Sequence, residues 1–338
     1  MNSGRTELLK VTNLTQYFPI KGGIFGRAVN HVKAVDDVSF TIHEGETVSI
    51  VGESGCGKST TGRAIIRLEE PTSGTVEFNG VNVCTLNKAN MRKLRKDIQI
   101  IFQDPYASLN PRQTVRQLLN EALEVQKVVP KSERNTRIAQ ILETVGLQPH
   151  QADRFPHEFS GGQRQRIGIA RALSVQPKLI ICDEAVSALD VSIQAQVLNL
   201  LKKFQKEMNL TYLFISHDLG VVRHISDRII VMYLGKIVEI GDKQSIFEHP
   251  QHPYTKALLS AIPVPDPDHQ KKRIILRGDV PSPIDPPSGC RFHTRCPYAT
   301  DKCQQEIPSL QHYDYMNEGH QASCHYSKEI ESGHHLPK

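Results

Sequence analysis

Short apolar runs alternate with helical patterns along the chain before about residue 260. Five runs have the length and composition of buried strands: Thr47–Val51, Ile98–Phe102, Leu179–Cys182, Tyr212–Ile215 and Ile229–Met232. Between them, apolar residues recur at helical spacing, as over Val191–Glu207. Strands that are apolar on both faces and alternate with helices form parallel sheets covered on both sides. The pattern therefore predicts an α/β fold.

The composition changes near residue 261, and this change predicts a second, smaller module. Ten of the 20 prolines lie from Pro263 to Pro337, beginning with Pro263, Pro265 and Pro267, and four of the seven cysteines lie there too. Proline-rich chain cannot continue a helix. We predict an α/β domain over residues 1–260, with a helical subdomain inserted at about 89–175 where helix formers concentrate, and a Cys/Pro-rich module over 261–338.

Composition and charge exclude several classes of protein. The 338 residues are 38% apolar and 23% charged, as expected of a globular chain with about two domains. No apolar run approaches the ~18 residues of a spanning helix, and Met1–Val11 lacks the apolar core of a secretory signal, so we expect a cytosolic chain. Its thiols are then not expected to form disulfides. The net charge of +5 is not concentrated in a basic block, so nucleic-acid binding is not indicated.

A glycine-rich segment directly after Thr47–Val51 predicts a phosphate-binding loop. It fits the pattern G-x-x-x-x-G-K-[ST] between a strand and a helix, a context in which an ordinary glycine-rich turn rarely reproduces it. Backbone N–H groups at the helix N-terminus surround phosphate oxygens, Lys58 brings a positive charge to the β- and γ-phosphates, and Ser59 offers a hydroxyl to Mg²⁺. The residues assigned to this loop are Gly52, Glu53, Ser54, Gly55, Cys56, Gly57, Lys58, Ser59 and Thr60.

Two adjacent carboxylates follow the apolar run Leu179–Cys182. Ligands of α/β sheets bind at the carboxyl ends of the strands, so Asp183 is expected to hold Mg²⁺ and Glu184 to polarise an attacking water. Taken alone, such a pair is more often a solvated helix cap. The phosphate loop in the same chain favours the catalytic interpretation.

The segment Phe159–Leu173 (FSGGQRQRIGIARAL) resembles the signature motif of ABC-type ATPases, although Phe159 stands where leucine is usual. Such a segment caps a helix and presents a hydroxyl, N–H groups and a positive dipole end to a phosphate; a plain helix cap is the alternative. The resemblance implies that two subunits pair head to tail, with ATP between the phosphate loop of one and the signature of the other. The signature residues are Ser160, Gly161, Gly162 and Gln163.

Four further positions match this family in order and spacing. Phe18 lies where the family stacks an aromatic ring on adenine, with Tyr17 or a plain core aromatic as the alternatives. Gln103 matches the glutamine that touches Mg²⁺ and the water, and Asp190 ends the D-loop. His217 matches the switch histidine on the γ-phosphate, although a lone histidine after a strand is usually structural. The resemblance implies catalytic roles for Glu184, His217 and Gln103, and Mg²⁺ bound through Ser59, Gln103 and Asp183.

Segments near the C-terminus narrow the resemblance to one branch. His249–Thr255, Pro281–Pro283 and Pro286–Cys290 look like the C-terminal region of oligopeptide/dipeptide permease ATPases, most closely the F-type subunit. A single phosphate loop, no fused spanning helix and no long coiled coil argue against other ABC proteins. Ala185 follows Glu184 where many relatives have proline; Glu184 itself is retained. The implied function is the ATP-hydrolysing subunit of a peptide importer.

The resemblance also implies partners and a location. The chain would pair with a paralogous ATPase subunit, bind two membrane permease subunits and serve an extracellular substrate-binding protein. It would lie at the cytoplasmic face of the cell membrane, attached only through the permease, whose cytoplasmic helix would fit a groove formed by Asp104–Gln117. The alternatives are an importer of nickel chelates, opines or glutathione, or, more remotely, a soluble ABC ATPase that acts on nucleic acid or ribosomes.

Four cysteines in the C-terminal module are candidate metal ligands: Cys290, Cys296, Cys303 and Cys324. Four thiolates bind Zn²⁺ or an iron–sulfur cluster. The C-x2-4-C knuckles common in zinc sites are absent, and relatives with this tail resemble carriers of a [4Fe–4S] cluster. A cluster is therefore expected, with Zn²⁺ or unmetallated buried thiols as alternatives. The nearby His293, His320 and His325 are expected at the surface, although any of them can replace a thiolate.

Overall fold

The computed structural model describes residues 6–22, 27–262 and 273–334. The prolines predicted to begin the extended segment, Pro263, Pro265 and Pro267, lie outside these ranges. The strands are β1 (Glu7–Gly22), β2 (Arg27–His43), β3 (Thr47–Val51), β4 (Ser73–Phe78), β5 (Val81–Asn82), β6 (Ile98–Ile101), β7 (Leu179–Asp183), β8 (Thr211–Ile215), β9 (Arg228–Tyr233), β10 (Lys236–Asp242) and β11 (Gln321–Ala322).

Helices separate most of these strands. They are α1 (Lys58–Ile65), α2 (Lys88–Leu94), α3 (Pro105–Ser108), α4 (Val115–Val125), α5 (Arg134–Thr144), α6 (Gly161–Ser174), α7 (Val191–Met208), α8 (Leu219–Ile225), α9 (Lys243–Glu248), α10 (Pro253–Ser260), α11 (Asp301–Gln305) and α12 (Ser327–Glu331). Over the described ranges, none of them has the length and apolar character needed to cross a bilayer.

The chain divides into two compact units. The first unit comprises the described parts of Met1–Leu8, Ile42–Thr47 and Thr85–Ile215. Its strands β6, β7 and β8 are parallel and adjacent in that order. Every residue of β7 and β8 is buried, as expected for strands covered on both faces. These strands match three of the five predicted apolar runs, and the predicted α/β class is confirmed.

The second unit comprises the described parts of Leu9–Thr41, Val48–Cys84 and Ser216–Lys338. It contains the two remaining predicted strands, β3 and β9, which pair in parallel. It also contains antiparallel pairings that the apolar runs did not predict: β1 with β4, β4 with β5, β9 with β10, and β10 with β11. Strand β1 alternates buried and exposed positions over much of its length, so it shows no continuous apolar run.

The predicted domain boundaries remain predictions. Helices α2 to α6 fall at or within the stretch predicted as a helical subdomain, together with strand β6. The second unit contains chain from both sides of residue 261. In it, Phe292 packs against Tyr233 and Tyr254, with ring centroids 5.2 and 5.4 Å away. Residues of the C-terminal module therefore belong to the same apolar core as β9 and α10.

Candidate functional site

The phosphate loop of the second unit connects the fully buried strand β3 to α1. Gly57 is the N-cap of α1 and has φ 102°, a left-handed conformation that favours glycine. A Cβ atom there would collide with the carbonyl oxygen of Ala34, and one at Gly52 with that of Met232. The loop is thus a tight backbone turn at a helix N-terminus, where N–H groups can face an anion.

Lys58 is buried within its own loop, with 4% of its surface exposed. Its Nζ donates to the carbonyl oxygens of Gly52 and Glu53, each at 3.0 Å. Ser54 and Gly55, at the tip, are exposed, and Ser59 and Thr60 are half-buried in the first turn of α1. The ammonium group therefore lies on the concave side of the loop, held by neutral acceptors.

The two candidate aromatic residues on β1 have different surroundings. The Tyr17 hydroxyl donates to Oδ1 of Asp36 at 2.7 Å, and Arg291 also pairs with that carboxylate. Burial, followed by this hydrogen bond, raises the pKa of Tyr17 to about 12. Phe18 is half-buried and, as the next residue of the strand, points to the opposite face. Tyr17 is therefore held by Asp36, and the assignment of Phe18 to the adenine ring stays a prediction.

His217 is exposed and lies just before α8 in the second unit. Asp218, the N-cap of that helix, accepts hydrogen bonds from the N–H groups of Gly220 and Val221 at 2.8 and 3.3 Å. The cap fixes the backbone on which the imidazole is carried.

In the first unit, the structure brings together two of the predicted catalytic side chains. Gln103 follows β6, and its Nε2 donates to Oε2 of Glu184 at 2.8 Å. Asp183 ends β7 and is 2% exposed. Glu184 has φ 48°, and its N–H donates to the carbonyl oxygen of Ile215 at 3.0 Å. Two carboxylates and an amide thus gather at the carboxyl ends of parallel strands, where ligands of this sheet class bind.

The signature segment begins α6. Ser160 is the N-cap, and its Oγ accepts from the N–H of Gln163 at 3.3 Å while Gln163 Oε1 accepts from the N–H of Ser160 at 3.0 Å. This capping box fits the plain structural alternative. The Ser160 hydroxyl also carries a proton of its own that it can donate. In the same way, Asp190 caps α7 by accepting from the N–H of Ile193 at 3.0 Å.

The four C-terminal cysteines line one small cavity of about 20 Å³ in the second unit. Burial raises the pKa of Cys290 to about 11, and the pKa values of Cys296 and Cys324 to about 12. All seven cysteines are free thiols. Within residues 6–22, 27–262 and 273–334, no three or more His, Cys, Asp or Glu side chains are grouped so as to hold a metal ion.

The expectation that His320 lies at the surface is wrong. Its ring is 1% exposed, and its Nε2 lies 2.8 Å from Oε1 of the fully buried Glu239. Glu239 also accepts from the backbone N–H groups of Gln251 and His252, at 2.7 and 2.9 Å. A buried carboxylate needs such partners, and the imidazole supplies one of them.

One contact at the phosphate loop has no signal in the local sequence. Arg295 of the C-terminal module donates two hydrogen bonds to the Glu53 carboxylate, at 2.7 and 3.2 Å. Glu53 was assigned to the loop from the motif, but its partner lies 242 residues further on. Charge alone would not select this arginine among the 41 basic residues of the chain.

Comparison with known proteins identifies the same class of protein as the nucleotide-binding motifs, the ABC-type ATPases. Residues 35–187 match the ABC transporter family, and residues 238–303 match the oligopeptide/dipeptide transporter C-terminal region. The ATP-binding cassette MJ0796, in a dimeric post-hydrolysis state bound to ADP and phosphate, has a TM-score of 0.62 and 31% identity over 70% of this chain and 99% of its own. CbiO1 of Clostridium perfringens, part of the transporter complex cbiONQ, has a TM-score of 0.62 and 28% identity over 72% of this chain and 92% of its own.

Proteins of similar sequence show to which branch of the ABC-type ATPases the chain belongs. The oligopeptide transport ATP-binding protein AppF of Bacillus subtilis is 54% identical over 321 residues, which cover 94% of this chain and 97% of AppF. The probable peptide ABC transporter ATP-binding protein y4tS of Sinorhizobium fredii is 50% identical over 98% of this chain and 93% of its own length. The fold and the phosphate loop define an ABC-type ATPase. The chain belongs to the oligopeptide/dipeptide branch of the ABC transporter ATP-binding proteins.

Proposed function

We propose that this chain binds and hydrolyses ATP to power the uptake of peptides through a membrane permease. The observation that carries the proposal is the presence in one chain of the nucleotide-binding motifs and the oligopeptide/dipeptide C-terminal region. Peptide transport is the activity named for AppF and y4tS, which are 54% and 50% identical to this chain over 94% and 98% of its length.

Different side chains bind the phosphates, Mg²⁺ and the adenine ring. Lys58 exchanges its loop carbonyl partners for β- and γ-phosphate oxygens, which are stronger, charged acceptors. Ser59, Gln103 and Asp183 would hold Mg²⁺ through oxygen atoms, which are hard ligands that fit that ion. Mg²⁺, when bound, neutralises charge on the phosphates. Phe18 stacks on the adenine ring.

Glu184 orients and polarises the attacking water, and Gln103 holds its carboxylate in place through the 2.8 Å hydrogen bond. His217 contacts the γ-phosphate. The remaining loop residues, Gly52 to Thr60, wrap the phosphates. Ser160, Gly161, Gly162 and Gln163, with Asp190, face the nucleotide of the paired subunit, which we propose is a paralogue. One chain then carries half of each site, so hydrolysis depends on pairing.

A groove in the first unit is the proposed binding site for the permease's cytoplasmic helix. Its volume is about 490 Å³, and its lining includes Ser108, Asn110 and Gln113 from the predicted segment Asp104–Gln117. Arg171, also in the lining, fixes the segment by donating to the carbonyl oxygen of Ser108 at 2.7 Å. Two permease subunits would engage such grooves at the cytoplasmic face of the membrane, while an extracellular binding protein delivers the cargo.

We further propose that the four C-terminal thiols bind a [4Fe–4S] cluster, with Zn²⁺ as the alternative. Their convergence on one cavity supports a shared ligand. Their side chains are not grouped for metal binding as they stand, so loading requires them to move. Because burial raises the pKa values of Cys290, Cys296 and Cys324, those three thiols must also lose protons. Anaerobically purified protein should contain iron and sulfide and absorb broadly near ~400 nm. Zinc alone, or no metal, would reject the cluster.

Uptake of labelled peptide by proteoliposomes that contain the complete transporter tests the main proposal. The Glu184→Gln subunit should bind ATP but reduce uptake and hydrolysis by about 100-fold or more, because the water loses its base. Undiminished uptake would show that Glu184 is not catalytic. Transport of a nickel chelate, an opine or glutathione in place of peptide would leave the proposed ATPase roles intact. It would show that the proposed peptide cargo is wrong.

A further inference from the structure

The C-terminal module of the second unit reaches into the phosphate loop through Arg295. Both terminal nitrogens of Arg295 bond the two oxygens of Glu53, at 2.7 and 3.2 Å. The Arg295 side chain is 8% exposed and that of Glu53 is 29% exposed. A bidentate pair with one buried partner has a defined geometry, unlike most ion pairs at a protein surface.

Several contacts fix Arg295 in this position. It lies in a tight turn in which its N–H donates to the carbonyl oxygen of Phe292 at 3.0 Å. Phe292 is 1% exposed and packs edge-on to Tyr233, and the Arg295 guanidinium lies 6.0 Å from the centre of the Tyr233 ring. The hydroxyl of Tyr254, from the same aromatic core, accepts from the Glu53 N–H at 2.8 Å. Side chain and backbone of Glu53 are therefore both held from outside the loop.

The charge of Glu53 makes this pairing important for an anionic ligand. Glu53 is the second residue of a loop that surrounds phosphate groups, and a carboxylate beside a triphosphate repels it. Arg295 neutralises that charge and holds the carboxylate on the side of the loop that faces the aromatic core. Without it, Glu53 would be an unpaired anion free to rotate toward the phosphates.

We propose that Arg295 is a positioning residue of the ATP site, which pairs with Glu53 so that the phosphate loop accepts a triphosphate. The inference rests on the proposed phosphate-binding role of the loop. Through Arg295, the C-terminal module then contributes a residue that positions the nucleotide site.

The test measures ATP hydrolysis by the complete transporter carrying Arg295→Ala. The KM for ATP should rise about tenfold while kcat changes less than about twofold, because the reacting groups are untouched. Adding Glu53→Gln to Arg295→Ala should restore the KM to within about threefold of wild type, since the unpaired carboxylate is gone. A KM unchanged by Arg295→Ala, or one that Glu53→Gln does not restore, would overturn the proposal.

Arg291→Ala is the matched control, because Arg291 lies in the same segment and pairs with Asp36 rather than with the loop. Any rise in KM that it causes should not be reversed by Glu53→Gln; reversal would show that the rescue is not specific to the Arg295 pair and would count against the proposal. If Arg295→Ala does not fold, Arg295→Lys keeps the charge and loses the bidentate geometry. It should raise KM about threefold, with the same rescue, and no rise would contradict the inference.

Lys58→Ala separates this inference from the proposed function. If Lys58→Ala abolishes ATP binding while Arg295→Ala leaves the KM unchanged, the loop binds phosphate and the Arg295 inference alone fails. If Lys58→Ala binds ATP like wild type, the proposed function of the loop itself is wrong.

Discussion

Glu184 has a left-handed backbone conformation, with φ 48°, which is uncommon for a residue other than glycine. Such a conformation persists only where surrounding contacts enforce it. Here the N–H bonds the carbonyl oxygen of Ile215 and the carboxylate accepts from Gln103. Strand β7 ends at Asp183, so Glu184 is the first residue beyond it and is held by these two hydrogen bonds.

The glycines of the phosphate loop give a paired prediction. Gly57→Ala should reduce ATP binding at least about 100-fold, because its Cβ would collide with the backbone oxygen of Ala34 in a left-handed conformation. Gly55 also has a positive φ, but a Cβ there meets no atom within 4 Å. Gly55→Ala should therefore weaken binding only several-fold. Titration with a fluorescent ATP analogue measures both, and equal effects would contradict the steric argument.

At the scale of elements, the order of strand, motif and helix could be predicted because each signal is local. Strands β3, β6, β7, β8 and β9 are short and rich in apolar residues, and motif residues follow four of them, β3, β6, β7 and β8. Strands β1 and β10 differ because their pairing is antiparallel and polar residues interrupt their apolar positions. Their partners could not be predicted, since register depends on residues far apart in the chain.

The N-terminus of α6 provides a prediction that separates a structural role from a functional one. Ser160→Asp keeps a good helix cap and favours the helix dipole, so the melting temperature should stay within about 2 °C of wild type. The same carboxylate would repel a phosphate, so ATPase activity of the paired complex should fall at least about tenfold.

Ser160→Ala is the comparison for that variant. It removes the cap and should cost about 1 kcal/mol of unfolding free energy, measured by urea denaturation. Activity of Ser160→Asp at the wild-type level would show that the segment acts as a helix cap alone.

At the scale of the whole molecule, the contacts that connect distant parts of the sequence escape prediction. The Glu239–His320 and Glu53–Arg295 pairs each join residues far apart in sequence, and nothing beside either residue specifies the other. By contrast, the nucleotide motifs are short and need no knowledge of the fold. The candidate site could therefore be predicted as a set of motifs, while its support from the C-terminal module could not.

Acid stability provides a prediction for the region around Glu239. Burial lowers the pKa of His252 to about 4, and its ring accepts from the N–H of Tyr254 at 3.1 Å, which requires the neutral form. The unfolded chain binds a proton near pH 6.5 and the folded chain only near pH 4. The contribution of His252 to the free energy of unfolding is therefore fully present above pH 6.5. About 3 kcal/mol of it is lost as the pH falls from 6.5 toward 4.

Guanidinium unfolding of wild type and His252→Asn at pH 7.5 and pH 5 measures this contribution. Asparagine keeps a helix-capping acceptor and does not titrate. The variant should lose less unfolding free energy between the two pH values than wild type does. Equal losses would show that another group causes the acid sensitivity.

The pairing of Arg291 with Asp36 and of Arg295 with Glu53 has a consequence for how such proteins can be shortened. A stop codon after Gly289 would give a cassette closer in length to MJ0796, but it would also remove Arg291 and Arg295. Asp36 would keep Lys236, 3.8 Å away, whereas Glu53 would lose its arginine partner. Any attempt to engineer a minimal version of this ATPase should therefore replace Glu53 with a neutral residue along with the truncation.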